Sequence, residues 1–201
     1  LADLVVAGVA APGPLDPKTG VVHATPNLPG WKEFPLAAAL REALGLPVCV
    51  DNDANLAGLG ESRLGAGQGH DPLLYLTVST GVGGAILVGG RLLEGVSGLA
   101  GELGHVIVQA DGPNCNFGHP GCLEAMASGT AIARRAAEAV ADGQPTALAC
   151  LGPAGPPITA RDVAEAARAG DAVAKRIWEQ AARHLGLAIG GLVNVFDPSR
   201  V

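Results

Sequence analysis

Apolar residues fall along this chain in two rhythms, short unbroken runs and stripes spaced by three or four, and the two alternate. "LVVAGVA" (residues 4–10) is the kind of continuous run that a buried strand makes, and the breaker set Pro12-Gly13-Pro14 ends it. "GVVHA" (20–24) reads as a second strand or an edge. Pro35 suits the first turn of a helix running to Leu44, where a missing N–H costs nothing, and Gly45 stops it. "PVCV" (47–50) is another buried strand, and from Ala54 to Leu64 the pattern turns helical, ending in the Gly-rich "GAGQG". Strand, helix, strand, helix in this order predicts an open, partly parallel sheet.

A second block begins at Leu73. "LLYLTVST" (73–80) and "AILVGGRLL" (85–93) read as strands joined by "GVGG" into a hairpin. Ser128 is placed to cap a helix to about Ala141, and "DGQPTALACLGPAGPP" (142–157) is a Pro/Gly-rich loop. Thr159 with Asp162 has the form of a capping box, and Gly170-Asp171 ends one helix and starts the next. That last helix carries Val173, Ile177, Ala181, Leu185, Ala188, Leu192 and Val195 on one face, which predicts a core stripe. No repeat recurs, and residues 65–72 are the expected break between a first part, 1–65, and a larger second part, 66–201.

With 201 residues, 48% of them apolar, the chain is long enough to bury a real core. Thirteen Lys and Arg against 19 Asp and Glu leave a net charge of −6 with no basic block, which argues against nucleic acid and anionic membrane as main partners. No apolar stretch approaches the roughly 18 residues of a membrane span. Of the four cysteines, Cys115 and Cys122 share one short loop, the pattern of a metal site or of free thiols in a reducing cytoplasm.

Three stretches carry candidate chemistry. "DNDAN" (51–55) crowds two carboxylates and two amides at a strand's C-terminal end, the ligand edge of an open α/β sheet. Asp53 sits where a helix N-cap belongs, so capping alone accounts for one of the four. "TVSTGVGG" (77–84) offers hydroxyls and unshielded N–H groups that can cradle phosphate, or it is an ordinary hairpin turn. Glu102, His105 and Glu124 lie in apolar, Gly-rich sequence, where a buried carboxylate needs a partner. Together with Asn52 they suit recognition of neighbouring sugar hydroxyls, whereas a lone His would be structural.

Taken together, "PGPLD", "PNLPGW", "VDNDAN", "TVSTGVGG", "LAGELGH" and "GCLEAMASG" make the chain resemble the ROK family of bacterial sugar kinases and sugar-responsive repressors, most of all its glucokinase branch. The resemblance implies an α/β fold of actin-like ATPase type, two ribonuclease H-like lobes about a central cleft. It implies Asp53 as general base for a sugar 6-hydroxyl, with Asn52, Glu102, His105 and Glu124 holding the sugar. Ser79, Thr80, Gly81, Gly83 and Gly84 would meet the phosphates of ATP with its Mg²⁺. Glucose or a related hexose would be the acceptor, and a cytoplasmic homodimer or homotetramer the working form. A repressor or a non-catalytic sugar-binding protein is the alternative, and DNA binding would need an N-terminal domain absent from these residues.

Two departures change the expectations. The family's zinc site is a histidine and three cysteines; His105, Cys115 and Cys122 match, but Phe117 stands where the middle cysteine is expected. Zinc then needs a fourth ligand from His119 or water, or else the loop holds without metal. The family's first Gly-rich phosphate loop and its adenosine segment are also missing from residues 1–201. The expectation is a piece of a chain of about 300 residues, unable by itself to clamp ATP for transfer.

Overall fold

A strand exists only where a partner ladder exists, and that decides where the first element begins. In a computed structural model that describes residues 3–25, 28, 30–152 and 155–201, strand β1 is Ala7–Ala11 rather than 4–10. It pairs in parallel with β5 (Val48–Asn52), Ala7 opposite Val48 and Ala11 opposite Asn52. Leu4, Val5 and Val6 precede that ladder and stay exposed. Pro26, Asn27 and Pro29 of "PNLPGW" lie outside the described residues, as do Pro153 and Ala154 of the Pro/Gly-rich loop.

Between these two strands run a small antiparallel sheet, β2 (Leu15–Asp16), β3 (Val21–Ala24) and β4 (Lys32–Phe34), and helix α1 (Leu36–Leu44). Pro35 and Gly45 bracket α1 as expected. Gly45 takes the left-handed conformation, φ 64°, in which its N–H reaches the Arg41 carbonyl. Val22, Leu36, Ala37, Val48 and Val50 form the core here, with Trp31 and Phe34 packed against it. Helix α2 (Asp53–Leu64) follows β5 without a break.

The second block departs from the expected hairpin in two places. Strand β6 is Leu73–Val78 and β7 is Val82–Val88, so the turn is only Ser79–Gly81, and Gly83 and Gly84 belong to the strand. The run "AILVGGRLL" is not one strand. Gly89 and Gly90, at φ 62° and 69°, make a second tight turn into β8 (Arg91–Leu92). Two consecutive left-handed residues suit a two-residue hairpin loop, because that backbone matches the twist of the flanking strands.

The chain groups into two compact units. One holds Leu1–Leu76, Gly84–Glu102 and Pro198–Val201; the other holds the hairpin tip Thr77–Gly83 together with Leu103–Asp197. The second unit is helical: a 3₁₀ turn at Leu103–His105, α3 (Leu123–Ala127), α4 (Gly129–Ala141), α5 (Ala160–Arg168) and α6 (Ala172–Phe196). The expected loop 142–157 contains a further 3₁₀ turn at Ala147–Cys150, and α3 was not anticipated. Small side chains let these helices approach closely: Ala131 and Ala136 of α4 and Ala174, Ala181 and Ala188 of α6 are all buried. The α6 stripe is buried at Val173, Ile177, Ala181, Ala188 and Leu192, but Val195 is 74% exposed. The periodicity continues there while the packing surface does not. Among the described residues, no helix is long and apolar enough to cross a membrane.

Asp171 joins two parts of this unit. It caps α6 through the Ala174 N–H at 2.8 Å, and its other oxygen accepts from the Ala147 N–H at 2.6 Å and the Thr146 hydroxyl at 2.9 Å. Burial opposes its ionisation, yet these hydrogen bonds outweigh it and hold the carboxyl below its ordinary value. Asp171→Ala removes a cap and two further acceptor contacts, so it should cost about 2 kcal/mol of stability. Urea unfolding that shows no loss would contradict this role.

Candidate functional site

The end of β5 is where polar groups were expected to gather, and the structure sorts them by task. The first N–H groups of α2 need an acceptor. Asn52, not Asp53, is the N-cap: its Oδ1 accepts from Ala54 at 2.8 Å and Asn55 at 3.2 Å. Asp51 Oδ1 accepts from its neighbour Asn52 N–H at 2.7 Å and from the Asn55 side-chain amide at 3.0 Å. Asn55 is buried, so that last bond satisfies a group that would otherwise be costly. The Asn52 amide nitrogen points at the Gly13 carbonyl, 3.4 Å away. Asp53 is exposed, and the bond described for its side chain is with the adjacent Ala54 N–H at 2.9 Å. Three of the four polar residues hold the junction together, and the exposed carboxylate is Asp53. Glu102, in the same unit, is half-buried immediately before the 3₁₀ turn.

In the helical unit, the Ser79–Gly81 turn is pinned from one side. The Gly129 N–H donates to the Ser79 carbonyl at 2.8 Å, and the Thr130 N–H and hydroxyl donate to the Thr80 carbonyl at 3.3 and 2.9 Å. The Glu124 carboxylate accepts from the Val82 N–H at 3.0 Å. A side chain at Gly81 would push the Glu124 carboxylate aside, because its Cβ would overlap Glu124 Oε2. Gly104 of "GELGH" is required, since a Cβ there would overlap the Val82 backbone carbonyl. Glu124 is half-buried and lines a cavity of about 350 Å³ with Asn114, Asn116, Ser128, Thr130 and Arg134. Sequence reasoning gave Glu124 a sugar contact alone and missed Thr130; the only signal was a Thr two residues beyond the Ser128 cap.

The cysteine loop is a separate construction in that unit. Short backbone bonds shape it, Cys115 N–H to the His119 carbonyl at 3.0 Å and Gly121 N–H to the Pro113 carbonyl at 2.8 Å among them. The side-chain donors of His105, Cys115 and Cys122 lie within 4.8 Å of one another. Cys115 Sγ is 3.8 Å from His105 Nδ1 and 3.6 Å from His119 Nδ1. Tetrahedral zinc with bonds near 2.0–2.3 Å places its donors about 3.3–3.8 Å apart, so this set fits such an ion with small closure. Phe117 offers no donor and stands edge-on to the His105 ring, centroids 5.2 Å apart. Burial holds the His105 imidazole below its ordinary value, while Glu124 opposes this and His119 adds to it, a direction that favours the neutral form a metal ligand needs. Burial pushes the Cys122 thiol up to about 11.

Comparison with known proteins places this geometry in context. The profile of the ROK family matches residues 1–201. The glucokinase of Halalkalibacterium halodurans is 44% identical over 200 residues, which is 99% of this chain and 60% of that protein. Among solved structures, a ROK family glucokinase from Streptomyces griseus in complex with glucose and AMPPNP superposes with a TM-score of 0.82 at 40% identity, over 98% of this chain and 64% of that one. A ROK family transcriptional regulator, a homologue of the E. coli MLC protein, gives a TM-score of 0.82 at 33% identity, over 96% of this chain and 48% of that one.

The division of labour at the β5–α2 junction is testable through stability alone. Asn52→Ala removes the cap and should cost about 1 kcal/mol, whereas Asp53→Asn should cost at most about half of that. Denaturant midpoints in the reverse order would return the capping role to Asp53.

Proposed function

The chain belongs to the ROK family and has its mixed α/β, actin-like ATPase fold, and from that premise we propose that the protein it represents is an ATP-dependent hexose kinase of glucokinase type. One observation carries the reading most: in a cluster where Asp51, Asn52 and Asn55 hold one another and the start of α2, the Asp53 carboxylate is exposed and placed at the strand's end. Such a group can accept a proton from a sugar 6-hydroxyl as that oxygen attacks the γ-phosphate, a contribution of about 10²–10⁴-fold in rate. Phosphoryl transfer otherwise depends on positioning and charge neutralisation, and the Ser79–Gly81 turn is the proposed phosphate cradle. Mg²⁺ accompanying ATP supplies further neutralisation. Gly83 and Gly84, expected in that cradle, lie in β7 and support it from the strand. Asn52, Glu102, His105 and Glu124 are proposed to hold the sugar, with glucose or a related hexose as acceptor. His105 presents Nδ1 toward Cys115, which leaves its second ring nitrogen for another partner.

The cysteine loop is proposed to bind a structural zinc through His105, Cys115, Cys122 and His119, with His119 taking the place of the expected cysteine. Zinc would brace the loop that leads directly into α3 and so into Glu124.

Two outcomes test these assignments. In the full-length protein, Asp53→Asn should lower kcat by at least about 10²-fold and leave sugar affinity within a few-fold. A near-normal kcat would remove Asp53 from the chemistry, and sugar binding without any ATP-dependent turnover in the unmutated protein would favour a regulator. For the metal, elemental analysis should find about one zinc per chain, lost in His119→Ala. The Cys122 thiol, raised to about 11, must give up its proton to bind, so zinc affinity should rise at least about tenfold between pH 7 and 8. Protein with far less than one zinc, and no pH dependence on added zinc, would leave the loop metal-free.

A further inference from the structure

We propose that Thr130 is a positioning residue for the phosphate cradle, holding the turn so that the Thr80 and Gly81 amides face an incoming polyphosphate; this rests on the kinase reading of that turn. A trans peptide unit is planar, with its C=O and N–H pointing in opposite directions. Among the described residues the one cis bond is Asp71–Pro72, so the units joining Ser79 to Thr80 and Thr80 to Gly81 are trans. The Ser79 carbonyl is held by the Gly129 N–H, and the Thr80 carbonyl by the Thr130 N–H and hydroxyl. Both carbonyls therefore point at the first turn of α4, and the N–H groups of Thr80 and Gly81 point away from it. Two successive amides so directed can serve as an anion-binding nest. The Val82 N–H is not part of that nest, because Glu124 holds it. The start of α4 is likewise engaged with the turn's carbonyls and the Ser128 cap, so it orients the cradle without serving as one.

The hydroxyls form a directed chain. Ser128 Oγ accepts from the Ala131 N–H at 3.1 Å and lies 2.9 Å from Thr130 Oγ1, which donates to the Thr80 carbonyl. A hydroxyl has one proton, and Thr130 gives its proton to Thr80, so Ser128 must donate to Thr130. Each bond in such a chain polarises the next. Thr130 itself is exposed, so losing its hydroxyl leaves the helical core intact.

Thr130→Val keeps the shape and removes the link, and Thr130→Ser keeps the link. Two readouts separate positioning from mere stability. In amide hydrogen exchange, Thr130→Val should speed the Ser79 amide, which donates to the Gly81 carbonyl across the turn, and the Val82 amide about 3- to 10-fold; calorimetry on the full-length protein without sugar should show MgATP affinity weakened by a similar factor and glucose affinity unchanged. Thr130→Ser should restore both. Unchanged exchange at Ser79 and Val82 overturns the proposal, as does unchanged MgATP affinity in a protein that binds MgATP. Should the unmutated protein bind no MgATP at all, the kinase reading fails, and the exchange result alone decides the role of Thr130.

Discussion

The N–H groups at the start of α2 need an acceptor, and Asn52 meets that need from the last position of β5. Everything proposed for this strand end follows from which residue does so. If Asp53 were the cap, its charge would be spent on the helix. With Asn52 in that place, and Asp51 engaged with Asn55, the junction is held together without drawing on Asp53 beyond its adjacent N–H. A carboxylate carried one residue past a fixed cap, at the C-terminal end of a parallel strand, stands where an open α/β sheet meets its ligands.

A similar economy governs the hairpin tip. Carbonyls in a tight turn compete with N–H groups for the surface that a ligand would meet. Docking the Ser79 and Thr80 carbonyls on the donors of Gly129 and Thr130 removes that competition and fixes the direction of the amides. Glu124 belongs to the same arrangement, since its carboxylate holds Val82 while its helix begins directly after Cys122. A brace on the cysteine loop is thus one short helical turn from the Ser79–Gly81 turn.

Much of the architecture was legible in the residues. Pro35 and Gly45 mark α1, Ser128 caps α4, and Thr159 with Asp162 forms the capping box of α5, because each acts through backbone bonds within a few positions. Errors arose where a long-range partner decides. "LVVAGVA" is apolar throughout, yet β1 starts only where β5 can pair with it. The four glycine-rich residues after Thr80 read as a loop, but the pairing of β6 with β7 takes all but Gly81 into the strand. Capping by Asn52 rather than Asp53 was a one-residue shift that composition could not reveal, since both residue types cap equally well. The role of Thr130 depends on a carbonyl 50 positions away. Family resemblance pointed to the same strand end and turn, but not to which side chains are already engaged.

The proposed chemistry depends on Asp53 being the carboxylate that meets the sugar's reacting hydroxyl. A crystal structure of the full-length protein with glucose and a non-hydrolysable ATP analogue measures this directly. The expected result is an Asp53 carboxylate oxygen about 2.6–3.2 Å from the glucose 6-hydroxyl, with Asn52 still bonded to the start of α2. A glucose 6-hydroxyl met by another residue, with Asp53 turned back to cap the helix, would contradict it.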